Sequence, residues 1–179
     1  GVEHDEQAPL RLVEHALTTS GTGWTIVRPN FFMENFVSPG TAAMIREQGG
    51  IFIAAGDALT SFVSTLDVAR VVAAVFAERL VSRTLTLTGP DALGHGDVAQ
   101  VIGEASGRQV TYYPIPEDAM LQGARDMGLP EGMVQYMGAL YSGVRAGRMA
   151  EVTAHVEQVT GQAPMSFARF AQDNAAVWV

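Results

Sequence analysis

Eight consecutive residues, Arg28-Pro29-Asn30-Phe31-Phe32-Met33-Glu34-Asn35, follow directly on the apolar run Trp24–Val27. Proline cannot continue a ladder of strand hydrogen bonds, so Pro29 ends the strand and leaves Asn30, Phe31 and Phe32 at its edge. An amide and two rings at such an edge can orient a flat ring and cover the face that carries a hydride. The competing reading is that Phe31, Phe32 and Phe36 anchor the loop in the core.

Groups able to carry protons are few. His4 lies in the acidic opening Glu3-His4-Asp5-Glu6, where neighbouring carboxylates favour the charged imidazole and suit it to acid–base work. Tyr112 and Tyr113 alternate across a predicted strand, so one faces the core and the other solvent or a cleft. Tyr113 is the tyrosine taken as a catalytic candidate. Tyr136, Met137 and Tyr141 sit in a Met- and Gly-rich helix that can line an adaptable apolar pocket together with Phe32 and Met33.

The four histidines, at positions 4, 15, 95 and 155, form no H-E-x-x-H pattern, so no metal site is expected. His155 and Glu151 are expected to share a helix face as a solvated pair. Gly94-His95-Gly96-Asp97-Val98-Ala99 fits the G-x-G-x-x-A dinucleotide pattern. However, the residues from Gly89 to Leu93 separate it from the preceding strand, and Asp97 brings negative charge to the helix N-terminus where phosphate must sit. Helix capping by Asp97 is the expected role.

Composition narrows the function classes. A net charge of −8 argues against a nucleic-acid surface, which needs clustered cations. Cysteine is absent, which excludes thiolate catalysis and Cys-based metal sites. Lysine is absent too, which removes Schiff-base chemistry and any Tyr-x-x-x-Lys pair. No apolar run reaches the roughly twenty residues needed to cross a bilayer, and no basic-plus-apolar leader opens the chain. A cytoplasmic protein without membrane or nucleic-acid partners is expected.

With 179 residues and 47% hydrophobic content, the chain reads as a single domain over 1–179. Apolar spacing and Pro/Gly punctuation predict helices over Pro9–Ser20, within Phe32–Gln48, over Val68–Arg79 with Asp67 as cap, and over Asp97–Ser106. Strands are predicted at Trp24–Arg28, Ile51–Ala55, Ser61–Thr65, Leu85–Thr88 and Val110–Pro114. The remainder reads as helices at Glu117–Met127, Glu131–Gly143, Met149–Thr160 and from Ser166 onward. Strands alternating with helices, then helices alone, describe an α/β part over about 1–110 and a mostly helical cap over about 111–179.

The order of these segments carries a family resemblance. Glu14-His15-Ala16-Leu17, Ser20-Gly21 and Trp24-Thr25-Ile26-Val27-Arg28-Pro29, followed by Asn30 to Asn35, resemble the NmrA-like pattern of a helix, "SG", "WTI-RP" and "FxxN". Ser61-Phe62-Val63 with Asp67-Val68-Ala69, and Leu85-Thr86-Leu87-Thr88-Gly89-Pro90, resemble its next two segments. NmrA-like proteins are atypical short-chain dehydrogenase/reductases. The resemblance therefore implies the C-terminal portion of a doubly wound Rossmann-like fold with a helical substrate-binding cap. It implies Pro29, Asn30, Phe31 and Phe32 near the nicotinamide, and the opening loop with His4 near the active-site mouth.

In that family the glycine-rich nucleotide turn lies far upstream of the Arg-Pro-Asn segment. This chain is thus expected to be the back half of an oxidoreductase, binding no cofactor alone and NAD(P)H if the missing half is supplied. Three functions stay open. One is the substrate-binding half of an NAD(P)H-dependent oxidoreductase acting on a small, mostly apolar molecule. Another is a shortened paralogue performing cofactor-independent isomerisation, dehydration or cyclisation. A third is a non-catalytic ligand-binding or regulatory module. A sheet interior strand left unpaired invites association, so a homodimer or a separate N-terminal half is the expected partner.

Overall fold

The computed structural model describes residues 9–179. It is an α/β fold with few strands, all of them parallel. Strands β1 (Thr25–Pro29) and β3 (Arg83–Leu87) pair in register from Thr25 opposite Arg83 to Pro29 opposite Leu87. Strands β2 (Gly50–Ile53) and β4 (Thr111–Pro114) form a second parallel pair. Parallel strands need long crossovers, and helices supply them.

Helix α1 (Pro9–Thr19) precedes β1 and is fastened to it by charge. Arg28 Nε donates to Glu14 Oε1 at 2.8 Å and the Arg28 Nη2 group donates to Oε2 at 2.5 Å. The guanidinium holds the Glu14 carboxyl below its usual range, and Arg11, 3.1 Å away, adds to this. The apolar side of α1 is not covered: Leu10 is 59% and Val13 63% exposed, while Leu17 is partly buried.

After β1 the chain makes a 3-10 turn, Met33–Val37, and then α2 (Pro39–Gln48). Gly49, at a positive φ of 62°, ends α2 by returning its N–H to the Ile45 carbonyl and feeds β2. Helix α3 (Thr65–Glu78) lays Val71, Val68 and Val75 against Leu85 and Leu87 of β3, with Val63 and Val156 completing this cluster. The main core lies on the other side, where α4 (His95–Ser106) packs on α8 (Phe167–Asn174) around Phe36, Phe62, Ile102, Phe170 and Trp178. Trp178 Nε1 donates to the Phe36 carbonyl at 2.9 Å, closing the chain's end over the loop that follows β1. Helices α5 (Glu117–Asp126) and α6 (Glu131–Arg145) pack on each other, and an Arg145–Glu117 ion pair links them.

Four expectations are corrected. Ser61–Thr65 is not a strand: its ladder is a single bridge, Phe32 with Val63, because Ser61 and Ser64 turn to other partners and Thr65 already opens α3. The cap of α3 is Ser64, whose hydroxyl accepts from the Leu66 N–H at 3.1 Å. Asp67 lies within the first turn, fully buried, and accepts from the Met165 N–H at 2.7 Å while pairing with Arg70.

The helix expected over Met149–Thr160 exists only as α7 (His155–Thr160). Residues 149–154 form a strap whose backbone bonds leave the segment: Met149 O accepts from Ser61 N, Glu151 O from Ser61 Oγ, and Thr153 N donates to Thr88 Oγ1. Tertiary partners outcompete the local helix there. Consequently Glu151 and His155 do not share a helix face, and His155 Nδ1 instead lies 3.0 Å from the Thr86 carbonyl.

Candidate functional site

The loop after β1 is locked by its asparagine. Asn30 N–H donates to Leu87 O at 2.9 Å, continuing the β1–β3 ladder by one residue. Its side-chain Nδ2 donates to Ser61 Oγ at 2.7 Å and to Met149 O at 3.0 Å, and its Oδ1 accepts from the Phe31 N–H. Both amide donors are therefore engaged within the chain. Gly89 is needed beside this loop, since a Cβ there would lie 2.2 Å from the Phe62 carbonyl oxygen.

Phe31, Phe32 and Met33 alternate in exposure where the chain enters the 3-10 turn. Phe31 is buried, Phe32 stands 36% exposed at the lip, and Met33 is buried beneath. Phe31 meets Phe62 and Tyr141 edge-on, with ring centroids 6.4 Å and 5.8 Å apart. These rings form one wall of a cavity of about 250 Å³ completed by Phe36, Ile53, His95, Met137 and Leu140. Asn35, Ser38 and Thr41 give it a polar rim. Most of its lining comes from the carboxyl ends of β1, β2 and β3 and the segments that follow them, the position at which open parallel sheets bind ligands, and α6 supplies the rest. Its volume falls just under the range of about 300–1,000 Å³ usual for ligand pockets and suits a small molecule.

At the inner wall lies His95, 1% exposed. Rings surround it: Phe62 and Tyr112 at 5.5 Å and Phe36 at 6.2 Å between centroids. Burial pushes its pKa down to about 4, so the imidazole is neutral near pH 7. Its Nδ1 is buried without a hydrogen-bond partner among the described residues. Across the cavity, burial pushes the Tyr141 hydroxyl up to about 12, with the charge of Tyr112 as a lesser cause. Tyr141 thus holds its proton. Tyr112 walls the histidine but donates its own hydroxyl to the Ile53 and Gly56 carbonyls at 3.0 and 3.1 Å.

Of the residues singled out in the sequence, Phe31, Met137 and Tyr141 converge on this cavity. Phe32 borders the same loop at its exposed lip, and Met33 packs under it. Tyr136 is exposed on the outer side of α6, one residue from Met137, and Tyr113 is exposed and stacked on Phe52 with centroids 5.0 Å apart. Neither lines the cavity. His4 lies outside the described residues. No group of acidic, histidine or cysteine side chains among the described residues could hold a metal ion.

His95 and Phe62 are the site residues that local sequence did not disclose. The histidine sits in the Gly94–Ala99 hexapeptide, whose glycines fit the dinucleotide pattern. That hexapeptide is a helix start: Asp97, at the third helical position and not the cap itself, accepts from the Gly94 N–H at 2.9 Å. A second hollow, about 400 Å³, lies at the opposite end of β3 between Glu78, Arg83, His155 and Gln158. It sits at the amino end of the strand and lacks a converging set of rings, so the cavity behind Phe31 is the better candidate.

Comparison with known proteins agrees with this architecture. The NmrA-like family model matches residues 10–167. Agroclavine dehydrogenase from Claviceps fusiformis is 33% identical over 168 residues, covering 92% of this chain and 58% of that protein. An NAD(P)H azoreductase from Xenophilus azovorans is 34% identical over 160 residues, covering 89% and 55%. Among solved structures, the NADPH-dependent quinone oxidoreductase of Escherichia coli superposes with a TM-score of 0.81 at 24% identity, covering 90% of this chain and 58% of that one. Triphenylmethane reductase of Citrobacter sp. in complex with NADP(H) does so at 0.81 and 22%, covering 96% and 61%. At these identities the superpositions establish the fold. The chain spans between half and two-thirds of the length of the relatives it matches.

Proposed function

The chain belongs to the NmrA-like family, and on that premise we propose that it is the substrate-binding side of an NAD(P)H-dependent oxidoreductase acting on a small, mostly apolar molecule. The observation that carries this reading is the ring-lined cavity at the carboxyl edge of the strands, reached past the Phe31–Phe32 loop. The names of its relatives, a dehydrogenase and an NAD(P)H azoreductase, support nicotinamide-dependent redox chemistry.

The described residues fit one end of a dinucleotide. Pro29 and the half-exposed Phe32 can cover a nicotinamide ring, whereas Asn30 is already engaged. No described segment runs from strand through tight glycine turn to helix, and Asp97 occupies the one start that imitates it. On this reading the pyrophosphate is assigned to a nucleotide-binding half outside residues 9–179. When bound, NAD(P)H supplies the hydride. This chain encloses the substrate in apolar rings, excludes water and fixes the ring plane against the Phe31 wall.

Binding of 1,4-naphthoquinone and of a small azo dye, measured by calorimetry, tests the reading. The chain has no cysteine or lysine to form adducts with a quinone. Phe31→Ala and Met137→Ala should each weaken binding about tenfold, by removing packed apolar area. Unchanged affinity in both variants would place the substrate elsewhere.

A further inference from the structure

We propose that the second hollow, at the amino end of β3, binds a short zwitterionic peptide, a dipeptide with an apolar side chain, along the open strand edge. This site is separate from the Phe31 cavity and does not depend on how that cavity is read.

The hollow encloses about 400 Å³ between the end of α3, the start of β3 and α7. Glu78, the last residue of α3, and Arg83, the first of β3, both line it. Among the described residues neither has an ion pair or a side-chain hydrogen bond, with the other or with any third group. The turn that separates them is fixed from below. Ser82 N–H donates to Trp24 O at 2.6 Å, and Leu80 O accepts from the Thr25 hydroxyl. Arg79 and Ser82 hold left-handed backbone, at φ 51° and 58°, which residues other than glycine rarely adopt. A carboxylate and a guanidinium therefore border one hollow without neutralising each other.

The strand edge supplies the second element. Alternate residues of a parallel strand send their backbone groups to opposite sides. Leu87 O accepts from Asn30 N–H and so faces β1, whereas Thr86 O takes the Thr153 hydroxyl and lies 3.0 Å from His155 Nδ1 on the outer side. Thr84 consequently directs its own N–H and C=O outward, where it lines the hollow, and no described residue takes them. The Thr86 carbonyl can only accept, so His155 carries its proton on Nδ1 and leaves Nε2 as an acceptor. Gln158 adds an amide able to donate and accept, and Leu80, Leu85 and Val159 add apolar surface.

These groups select the ligand. An extended peptide pairs its own N–H and C=O with a free strand edge. Its carboxylate matches Arg83, its ammonium matches Glu78 and the acceptor nitrogen of His155, and an apolar side chain matches Leu80 and Val159. A simple anion would be repelled by Glu78 and a simple cation by Arg83, so a molecule bearing both charges is favoured. A dipeptide carries its two charges on either side of one amide and fits the hollow.

Leucyl-alanine is titrated into the 179-residue chain by NMR, with the Thr84 amide as reporter. Three analogues accompany it: N-acetyl-leucyl-alanine lacks the ammonium, leucyl-alanine amide lacks the carboxylate, and leucine lacks the peptide bond. Leucyl-alanine should shift the Thr84 resonance saturably, with a Kd below about 5 mM, and bind more tightly than all three. Arg83→Gln should weaken leucyl-alanine and the acetyl form by about threefold or more and spare the amide form. Glu78→Gln should weaken leucyl-alanine and the amide form to the same extent and spare the acetyl form. Both side chains are exposed, so neither change disturbs the core. Absence of a saturable shift, or losses that do not follow the matching charge, overturns the site. Leucine binding as tightly as leucyl-alanine overturns the peptide class. Phe31→Ala should leave every affinity unchanged, and a loss there would move the peptide to the other cavity and overturn the proposal.

Discussion

The Asn30 amide nitrogen lies 2.7 Å from Ser61 Oγ and also donates to the Met149 carbonyl. One side chain thereby joins the end of β1, the extended segment before α3 and the strap before α7. The residue that the family resemblance places beside the nicotinamide works here as a latch. It holds the Phe31–Phe32 loop at a fixed height above the cavity.

Removing that latch should be costly. Asn30→Ala removes the acceptor of the Phe31 N–H and two hydrogen bonds, to the Ser61 hydroxyl and the Met149 carbonyl, which keep their other partners, and should lower stability by about 1–3 kcal/mol. Asn30→Asp keeps the acceptor for the Phe31 N–H but loses both donors, and should be at least as damaging. Urea unfolding midpoints check both. Variants indistinguishable from wild type would show that the latch does not hold the loop.

Acid should destabilise the chain in two separable windows. His95 is neutral when folded, with its pKa lowered from 6.5 to about 4, so the unfolded chain takes up a proton that the folded chain refuses. Stability is therefore full above about pH 6.5 and declines between that value and about 4. Glu14 is a paired carboxylate with a lowered pKa, so its contribution is present above 4.5 and is lost as pH falls through its folded value. His95→Phe should flatten the upper window and Glu14→Gln the lower one, in denaturation series from pH 7 to 3. An unaltered slope between pH 6.5 and 4 in His95→Phe would show that the histidine is not held neutral.

Nicotinamide cofactors should bind the 179-residue chain weakly or not at all. The motivation is the missing glycine turn among the described residues, together with a chain free of lysine. Titration of NADPH and NADH by calorimetry should give no saturable heat at micromolar concentrations. Micromolar affinity for either would show that the chain binds the dinucleotide without a further half.

Association is the expected fate of the uncovered surfaces. Among the described residues β1 pairs only with β3, and the neighbouring α1 presents Leu10, Leu12 and Val13 to solvent. Apolar burial at roughly 25 cal/mol per Å² favours a second copy over the exposed leucines and valine of α1. Light scattering should report a dimer at low micromolar concentration and a monomer for Leu10→Asp with Val13→Asp. A wild-type monomer would contradict this.

Local sequence decided the elements whose cause is local. Gly49 and Gly107 close α2 and α4 at positive φ and apolar spacing sets α3, whereas Pro29 is itself the last paired residue of β1 and the ladder runs on to Asn30. Ordered together, the same segments were enough to recognise the family. Tertiary structure decided what depends on partners distant in the chain. Ser61–Thr65 and Met149–Ala154 have strand-like and helix-like composition, yet their hydrogen bonds go to each other, to the loop after β1 and, from Thr153, to Thr86 and Thr88. His95 is the sharpest case. Its burial, its neutral charge and its unpartnered nitrogen follow from how α4 docks beneath Phe36, Phe62 and Tyr112, which are 59, 33 and 17 positions away in sequence. No pattern within the Gly94–Ala99 segment encodes that environment, because desolvation is a property of the assembled core.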